Sequence, residues 1–163
     1  MNHDRDGGAT ADTFRAERIS KTATIQLNGT IDEVFPLFNP VEEPKWEPRF
    51  TPHFVYPADH TVQQGMTFKT AGRGDEKEFA WVINQYDEAA FHIQYLVFTP
   101  YRYWTITIDC QSTGEGKTSA KVTYEFTALE PAGIGINELH LESMYSSDLS
   151  DWERAINRYL GSR

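Results

Sequence analysis

Gly116, Lys117 and Thr118 reproduce the end of a phosphate-binding loop, so nucleotide binding is the first chemistry to consider. The complete signature needs a glycine five positions before Gly116 and a helix after the threonine, because helical amide groups must converge on the phosphates. Gln111 stands where that glycine should be, and residues 119–128 alternate between polar and apolar side chains as a strand does. The stretch therefore predicts the tip of a β-hairpin and not a nucleotide site.

Arg102, Tyr95 and Asp148 form a second set that could perform acid–base chemistry. Arg102 and Tyr95 lie on the apolar faces of two alternating segments that follow each other in the chain. An arginine can stabilise an enolate, while a carboxylate or a phenol can move protons. If these faces border one cavity, the three residues form the candidate catalytic set.

Asp148 has two interpretations. On a continuous C-terminal helix it lies about 20° from the centre of the apolar face, where a carboxylate needs a partner such as Arg102, Tyr95 or a ligand hydroxyl. Alternatively, the residues SSDLSD interrupt the helix, Ser150 and Glu153 form a new capping box, and Asp148 faces water. The sequence leaves both interpretations open.

The other reactive side chains lack the patterns that metal or nucleophile chemistry needs. His140 and Glu142 are two residues apart on a predicted helix, so they point to different sides. The single cysteine, Cys110, lies on the inward face of a strand without a base nearby in sequence, which indicates a packed thiol. We therefore expect no metal and no cofactor.

Composition narrows the class of partner. The chain has 163 residues, enough for one domain with a substantial core. Its 15 basic and 24 acidic side chains leave a formal net charge of −9, which repels nucleic acid and anionic membranes. The sequence has no apolar run of membrane-span length and no hydrophobic secretion signal, so we expect a cytoplasmic protein without an integral membrane segment. Aromatic residues make up 13%, enough to line a cavity as well as to fill a core.

The N-terminal part of the chain predicts a tail followed by a strand and two short helices. Residues 1–18 are polar and aperiodic, so we expect a flexible tail and a domain over 19–163. After a strand that starts at Ile19, Thr30 and Glu33 form a capping box for a short helix. Prolines at intervals of four then limit the chain to a second brief helix.

The rest of the chain predicts a meander of strands and one long helix. Alternation and turn residues place strands at about 53–57, 66–70, 78–86, 89–98, 101–112 and 117–128. A helical apolar stripe then runs from Asn137 to Leu160, with Asn137 as the N-cap and the glycines at 133 and 135 in a loop before it. A single amphipathic helix of this length can cover the apolar face of an antiparallel sheet.

Three segments carry a resemblance to a known family. They are VFPLFNPVEEPKW at 34–46, WVINQYDEAAFHIQYLVFTP at 81–100 and VTYEFTALEPAGIGINEL at 122–139. With the order of elements, they resemble the START/SRPBCC helix-grip superfamily, in its polyketide cyclase-like branch, over about residues 19–160. The resemblance implies an α+β helix-grip fold in which a curved antiparallel sheet of about seven strands wraps around the C-terminal helix. It also implies a cavity between sheet and helix for a small hydrophobic or amphipathic ligand, lipid-like or aromatic.

Alternation selects the residues that should face this cavity. The predicted ligand-binding set is Trp81, Tyr95, Arg102, Trp104, Leu141, Tyr145 and Asp148. Ordinary core packing is the competing explanation for each aromatic residue. The leading hypothesis is ligand binding without catalysis. The alternatives are a cyclase or dehydratase acting on an aromatic or polyketide-like substrate, and a protein-interaction module with a vestigial cavity. Edge strands near residues 53–70 could pair two copies into a homodimer, although the sequence does not determine the oligomeric state.

Overall fold

The computed structural model describes residues 14–163. Residues 1–13 of the predicted tail lie outside this range. Seven strands are present: β1 (Arg18–Leu27), β2 (His53–Tyr56), β3 (Thr67–Arg73), β4 (Glu76–Asp87), β5 (His92–Phe98), β6 (Arg102–Gly114) and β7 (Lys117–Ala128). They form one antiparallel sheet in the order β1-β7-β6-β5-β4-β3-β2. The predicted meander is confirmed, with boundaries that differ by at most a few residues.

Strand β6 shows why the alternation was a reliable signal. From Arg102 to Cys110 every second residue is buried, and the residues between them are partly exposed. The inward face of β6 pairs in register with buried residues of β7, as in Trp104 with Phe126 and Ile108 with Val122. One face of the sheet therefore carries the core, and the other faces outward.

The hairpin between β6 and β7 takes the place of the apparent phosphate-binding loop. Gly114 ends β6 and Lys117 begins β7. Gly116 has a φ of 67°, a left-handed conformation that glycine adopts without a steric penalty. The Lys117 ammonium donates to the side-chain oxygen of Asn28 at 2.8 Å. The prediction of a hairpin tip is confirmed.

Two short helical segments follow β1, as predicted. Helix α1 (Ile31–Val34) begins at the capping box: the Glu33 amide donates to Thr30 Oγ1 at 3.3 Å, and the Thr30 amide donates to Glu33 Oε1 at 3.0 Å. It runs into a 3₁₀ turn at Phe35–Phe38, and a second 3₁₀ turn spans Glu43–Lys45. Glu43 begins the second turn, and Trp46 directly after it packs against Trp152 of the C-terminal helix, with 5.8 Å between the ring centroids.

The C-terminal helix starts earlier than predicted. It comprises α2 (Pro131–Ser143), a π-helical turn at Met144–Asp148 and α3 (Leu149–Gly161). The predicted loop at residues 133–135 is wrong, because Pro131 at the first turn opens the helix and both glycines lie inside it. Gly133 is needed there, since a Cβ atom at this position would lie 2.2 Å from the carbonyl oxygen of Tyr101. The predicted N-cap role of Asn137 is also wrong: Asn137 is buried within α2.

The π-helical turn lies where the sequence suggested an interruption. The helix continues through it, and no side chain caps the start of α3, so the predicted capping box of Ser150 and Glu153 does not form. The extra residue of a π-turn shifts the helical phase, which sequence periodicity does not reveal. None of the helices described for residues 14–163 combines the length and apolar character that crossing a lipid bilayer requires.

The last helix is fastened to the edge strand β1. The Asn157 side chain donates to the Gln26 carbonyl at 3.0 Å and accepts from the Asn28 amide at 2.8 Å. The Tyr145 hydroxyl donates to the carbonyl oxygens of Lys21 at 2.5 Å and Val122 at 2.9 Å as alternative acceptors. With α3 held at this edge, the space between the helix and strands β3, β4 and β6 stays open.

Candidate functional site

A cleft of about 900 Å³ lies between the sheet and the C-terminal helix. Strands β3, β4, β6 and β7 form one wall, α2 and α3 form the opposite wall, and residues 46–51 close one side. Its lining includes seven aromatic side chains, namely Trp46, Phe50, Phe79, Trp81, Trp104, Tyr124 and Trp152. All four tryptophans of the chain border the cleft. Side chains therefore do not fill the region where the resemblance implied a cavity.

Arg102 lies beneath the floor of the cleft in a buried charge cluster. Its side chain is 2% exposed, and its Nε and Nη2 atoms each donate to a carboxylate oxygen of Glu76 at 2.9 Å. Thr99 also donates to Glu76, at 2.6 Å. Burial raises the pKa of Glu76, but the hydrogen bonds from Arg102 and Thr99 outweigh it and leave the pKa below its ordinary value. Arg102, one of the three partners considered for Asp148, is therefore paired with Glu76 instead.

The remaining guanidinium nitrogen of Arg102 orients His140, a residue that the sequence pattern did not place in the site. Nη1 of Arg102 lies 3.0 Å from His140 Nδ1 and 3.3 Å from Asn137 Oδ1. Burial, together with the Arg102 charge, lowers the pKa of His140 to about 3, so the imidazole is neutral. Because an arginine can only donate, Nδ1 must accept and the ring proton resides on Nε2.

His140 is thereby prepared to donate a hydrogen bond into the cleft. It borders the cleft, and its ring packs against Phe126 at 4.9 Å and Trp104 at 5.2 Å between centroids. Within residues 14–163, every fully buried side-chain nitrogen or oxygen has a hydrogen-bond partner. His140 Nε2 has no partner there, so it is not fully buried and remains accessible from the cleft that His140 borders. A neutral imidazole with a fixed tautomer can polarise a ligand oxygen without carrying charge.

A small inner pocket extends the cleft toward the first 3₁₀ turn. Its volume is about 30 Å³, and its lining comprises Phe38, Glu43, Trp46, Trp81, Tyr95, Ile106, Ile108, Tyr124 and Trp152. Glu43 is the one acidic or basic side chain among them. Burial, reinforced by the nearby Glu47, raises the pKa of Glu43 to about 8. A carboxyl group that is largely protonated at neutral pH thus sits at the inner end of an aromatic cleft.

Two tyrosines border the same inner pocket and differ in what their hydroxyls do. Tyr95 donates to the Phe38 carbonyl at 2.7 Å, so its proton is engaged with the backbone. The Tyr124 hydroxyl has no hydrogen-bond partner within residues 14–163, which makes it available to a ligand. Burial raises the pKa of both phenols well above the ordinary value, so both are neutral.

The outer rim of the cleft carries charges of both signs. Arg49 pairs with Glu47 at 2.8 Å, and Arg154 pairs with Asp151. Arg73 and Arg158 also border the cleft and have no ion pair within residues 14–163. The outer rim can therefore contact polar groups of a ligand of either charge.

Asp148 borders the cleft from the π-helical turn. It accepts from Ser143 Oγ at 2.8 Å and from Ser147 Oγ at 3.2 Å, so hydroxyl groups rather than a cation satisfy the carboxylate. It is half-buried, between the two predicted extremes of the helix interior and open solvent. This position follows from the π-turn, which local periodicity does not predict.

The predicted ligand-binding residues divide into two groups. Trp81, Trp104 and Asp148 border the cleft, and Tyr95 borders the inner pocket. Arg102, Leu141 and Tyr145 lie outside both linings: Arg102 is in the charge cluster, Leu141 is in the core, and Tyr145 bonds the backbone. Their contribution to ligand binding stays a prediction.

The sequence pattern suggested His140 only as a metal ligand beside Glu142, a role it then excluded, and it gave Glu43 no role. The segment containing Glu43 was seen only as proline-punctuated chain, and His140 projects about 100° from the predicted apolar face. One signal was present in each case: a glutamate within the proline-rich run, and a histidine one turn after a residue, Asn137, that lies on the apolar face. Neither signal distinguishes a site residue from an exposed one.

Comparisons with known proteins give structural but not sequence relatives. No protein-family model and no curated protein matches the sequence. Norcoclaurine synthase from Thalictrum flavum matches the structure with a TM-score of 0.68 and 13% identity, covering 91% of this chain and 89% of that chain. The same enzyme has been solved in complex with dopamine and hydroxybenzaldehyde. Ara h 8.0201 matches with a TM-score of 0.64 and 18% identity, over 91% of this chain and 100% of the other.

A solution structure from Thermobifida fusca also matches, with a TM-score of 0.64 and 17% identity over 86% of this chain and 92% of that chain. At these identities the similarity establishes the fold and not the activity. The predicted architecture is confirmed, with a seven-stranded antiparallel sheet and a long C-terminal helix. The chain therefore has a helix-grip fold like that of norcoclaurine synthase and Ara h 8.0201, the fold that its sequence resemblance predicted.

Proposed function

We propose that this protein binds a small amphipathic molecule with an aromatic or otherwise flat apolar body in the cleft beneath its C-terminal helix. One observation carries the proposal: a cleft of about 900 Å³ whose lining combines seven aromatic side chains with hydrogen-bonding groups that have no partner in the described part of the chain. Ligand sites in proteins characteristically have this volume and this mixture of apolar walls and few polar groups.

The polar groups indicate what the ligand should offer. His140 Nε2 donates in its neutral form, and the Tyr124 hydroxyl donates or accepts. An oxygen atom on the ligand can accept from His140 while the aromatic walls contact its apolar body. The proposed ligand is thus amphipathic and not purely hydrocarbon.

Native mass spectrometry of freshly purified protein tests this proposal by detecting a co-purified small molecule. The variant Ala155→Phe places a bulky ring into the cleft and should abolish retention of that molecule. Ser150→Phe adds the same bulk to the same helix at an exposed position outside the lining and serves as the matched control. Equal retention by the two variants would contradict binding in the cleft.

An enzyme of the cyclase or dehydratase class is the second candidate, and one observation favours it. Two titratable groups have pKa values shifted in opposite directions. The pKa of Glu43 is raised to about 8, and the pKa of His140 is lowered to about 3. Such pairs are typical of acid–base catalysis, with a carboxyl that moves a proton and a neutral imidazole that stabilises an oxyanion. Incubating the co-purified molecule with trace protein separates the candidates: unchanged NMR spectra indicate a carrier, and a new product indicates an enzyme.

A further inference from the structure

The inner pocket combines a single carboxyl group with six aromatic side chains and two isoleucines. Trp46 and Trp152 lie 5.8 Å apart between ring centroids, and Tyr124 lies 6.4 Å from Trp152. On the opposite side, Trp81 lies 5.5 Å from Tyr95. Glu43 lines the same pocket as these aromatic rings. The faces of aromatic rings carry partial negative charge, so they attract cations and not anions.

The charge of the Glu43 carboxylate is not compensated by the protein. Lys45, the nearest cation in sequence, pairs with Glu42 instead, and no ion pair of Glu43 is present within residues 14–163. Glu47, the closest charged neighbour, is itself acidic and adds repulsion. Glu43 is half-buried against apolar rings, where an ionised carboxylate without a counter-ion is costly, and this cost is the physical reason that its pKa is raised in the free protein.

The head group of the cation determines how it can pair with Glu43. A primary ammonium group presents three N–H donors, which can form charge-assisted hydrogen bonds with the carboxylate oxygens of Glu43. A trimethylammonium group carries the same charge but has no N–H donor, so it cannot form these bonds.

We propose that the inner pocket binds the primary ammonium group of an amphipathic aromatic amine, with Glu43 as its counter-ion, tryptophan rings around it and the aromatic body in the cleft. This inference rests on the proposed function, because it names the chemical class of the ligand in the same cleft. The net charge of −9 favours the approach of such a cation.

Intrinsic tryptophan fluorescence provides the assay, since all four tryptophans border the cleft. Three probes differ only in the head group: 2-phenylethylamine, the neutral 2-phenylethanol, and the trimethyl(2-phenylethyl)ammonium ion. At pH 8.5 we expect the primary amine to bind at least 10-fold more tightly than the alcohol and more tightly than the trimethyl ion. In Glu43→Gln the preference for the amine over the alcohol should disappear.

Glu43→Gln replaces a protonated carboxyl with a neutral group of the same size, so the fold should persist, which circular dichroism checks. The matched control is Glu42→Gln, which removes an adjacent carboxylate that lies outside both linings. This variant should keep the full preference for the amine. A preference that survives in Glu43→Gln, or that is lost equally in Glu42→Gln, overturns the assignment of Glu43.

The pH dependence in the unmodified protein gives a second test that needs no variant. Glu43 must lose its proton to pair with ammonium, so amine affinity should rise about eightfold between pH 7 and pH 8.5 for a pKa of about 8. The titratable groups that face Glu43 are Tyr95 and Tyr124, which stay neutral over this range, and Glu47, which is paired with Arg49. The alcohol should show no such rise.

The outcomes separate this inference from the proposed function. Equal binding of amine and alcohol overturns the ammonium site and leaves the cleft as a binding site for neutral ligands. Equal binding of the primary and trimethyl ions overturns the hydrogen-bond argument and with it the primary ammonium assignment. If no probe changes the fluorescence, the inference fails, and the native mass spectrum with its Ala155→Phe variant decides the proposed function independently.

Discussion

Replacing Arg102 by methionine should strongly destabilise the protein, because it leaves Glu76 buried without a counter-ion. The two side chains are 2% and 5% exposed, and two hydrogen bonds of 2.9 Å join them. Removing one partner of a buried ion pair costs about 3–5 kcal/mol, since the remaining charge loses both water and its partner. With a urea m-value of about 2 kcal/mol/M, the unfolding midpoint should fall by about 2 M.

The double variant Arg102→Met/Glu76→Leu supplies the matched comparison. It removes both charges and should recover at least half of the lost free energy of unfolding, because apolar replacement of a buried pair is often close to neutral. Urea titrations of the three proteins, followed by circular dichroism, measure both effects. A loss below about 1 kcal/mol in the single variant, or a double variant no more stable than the single one, would refute this account of the cluster.

The pair also determines part of the response to acid. The pKa of Glu76 is lowered in the folded protein, so its contribution to stability is present above the unfolded value near 4.5 and is lost as pH falls through the folded pKa. The double variant lacks this contribution. Its free energy of unfolding should therefore decline less steeply below pH 4.5 than that of the unmodified protein.

Three further predictions follow from individual side chains. Folding lowers the pKa of His140 from 6.5 to about 3, so its ring resonances in proton NMR should not titrate between pH 5 and 8. The contribution of the neutral His140 to stability is therefore present above pH 6.5 and is lost as pH falls toward 3. Burial raises the pKa of Cys110 to about 12, so a thiol reagent at pH 8 should react with Cys110 only after unfolding by urea. Gly133→Ala should destabilise by about 1–3 kcal/mol because its Cβ meets the Tyr101 carbonyl, whereas Gly135→Ala, with open space around it, should stabilise by up to about 1 kcal/mol in the same thermal or urea melts.

The helix-grip architecture was predictable because its signals are local. Strand alternation has a period of two residues and the capping box of Thr30 and Glu33 spans four, so both can be recognised within a short window. The inward set on β6, from Arg102 to Cys110, followed from the same periodicity. The start of the C-terminal helix was not predicted, because two glycines resemble a loop unless the approach of Gly133 to the Tyr101 carbonyl is known.

The candidate site depended on contacts between residues that are distant in the chain. The partner of Arg102 is Glu76, 26 residues earlier, and its third contact is His140, 38 residues later. Periodicity indicates which face of an element is buried, but not which side chain of another element it meets. Glu43 shows no sequence pattern of its own, because the rings that surround it come from five separate parts of the chain: residues 38–46, β4, β5, β7 and α3.

Thus the sequence alone determined the order of elements, the inward faces and the presence of enough aromatic side chains to line a cavity. Only the tertiary structure decided which polar groups border that cavity and which are paired beneath it. The physical reason is that secondary structure is governed by neighbours along the chain, whereas burial and charge compensation are governed by neighbours in space.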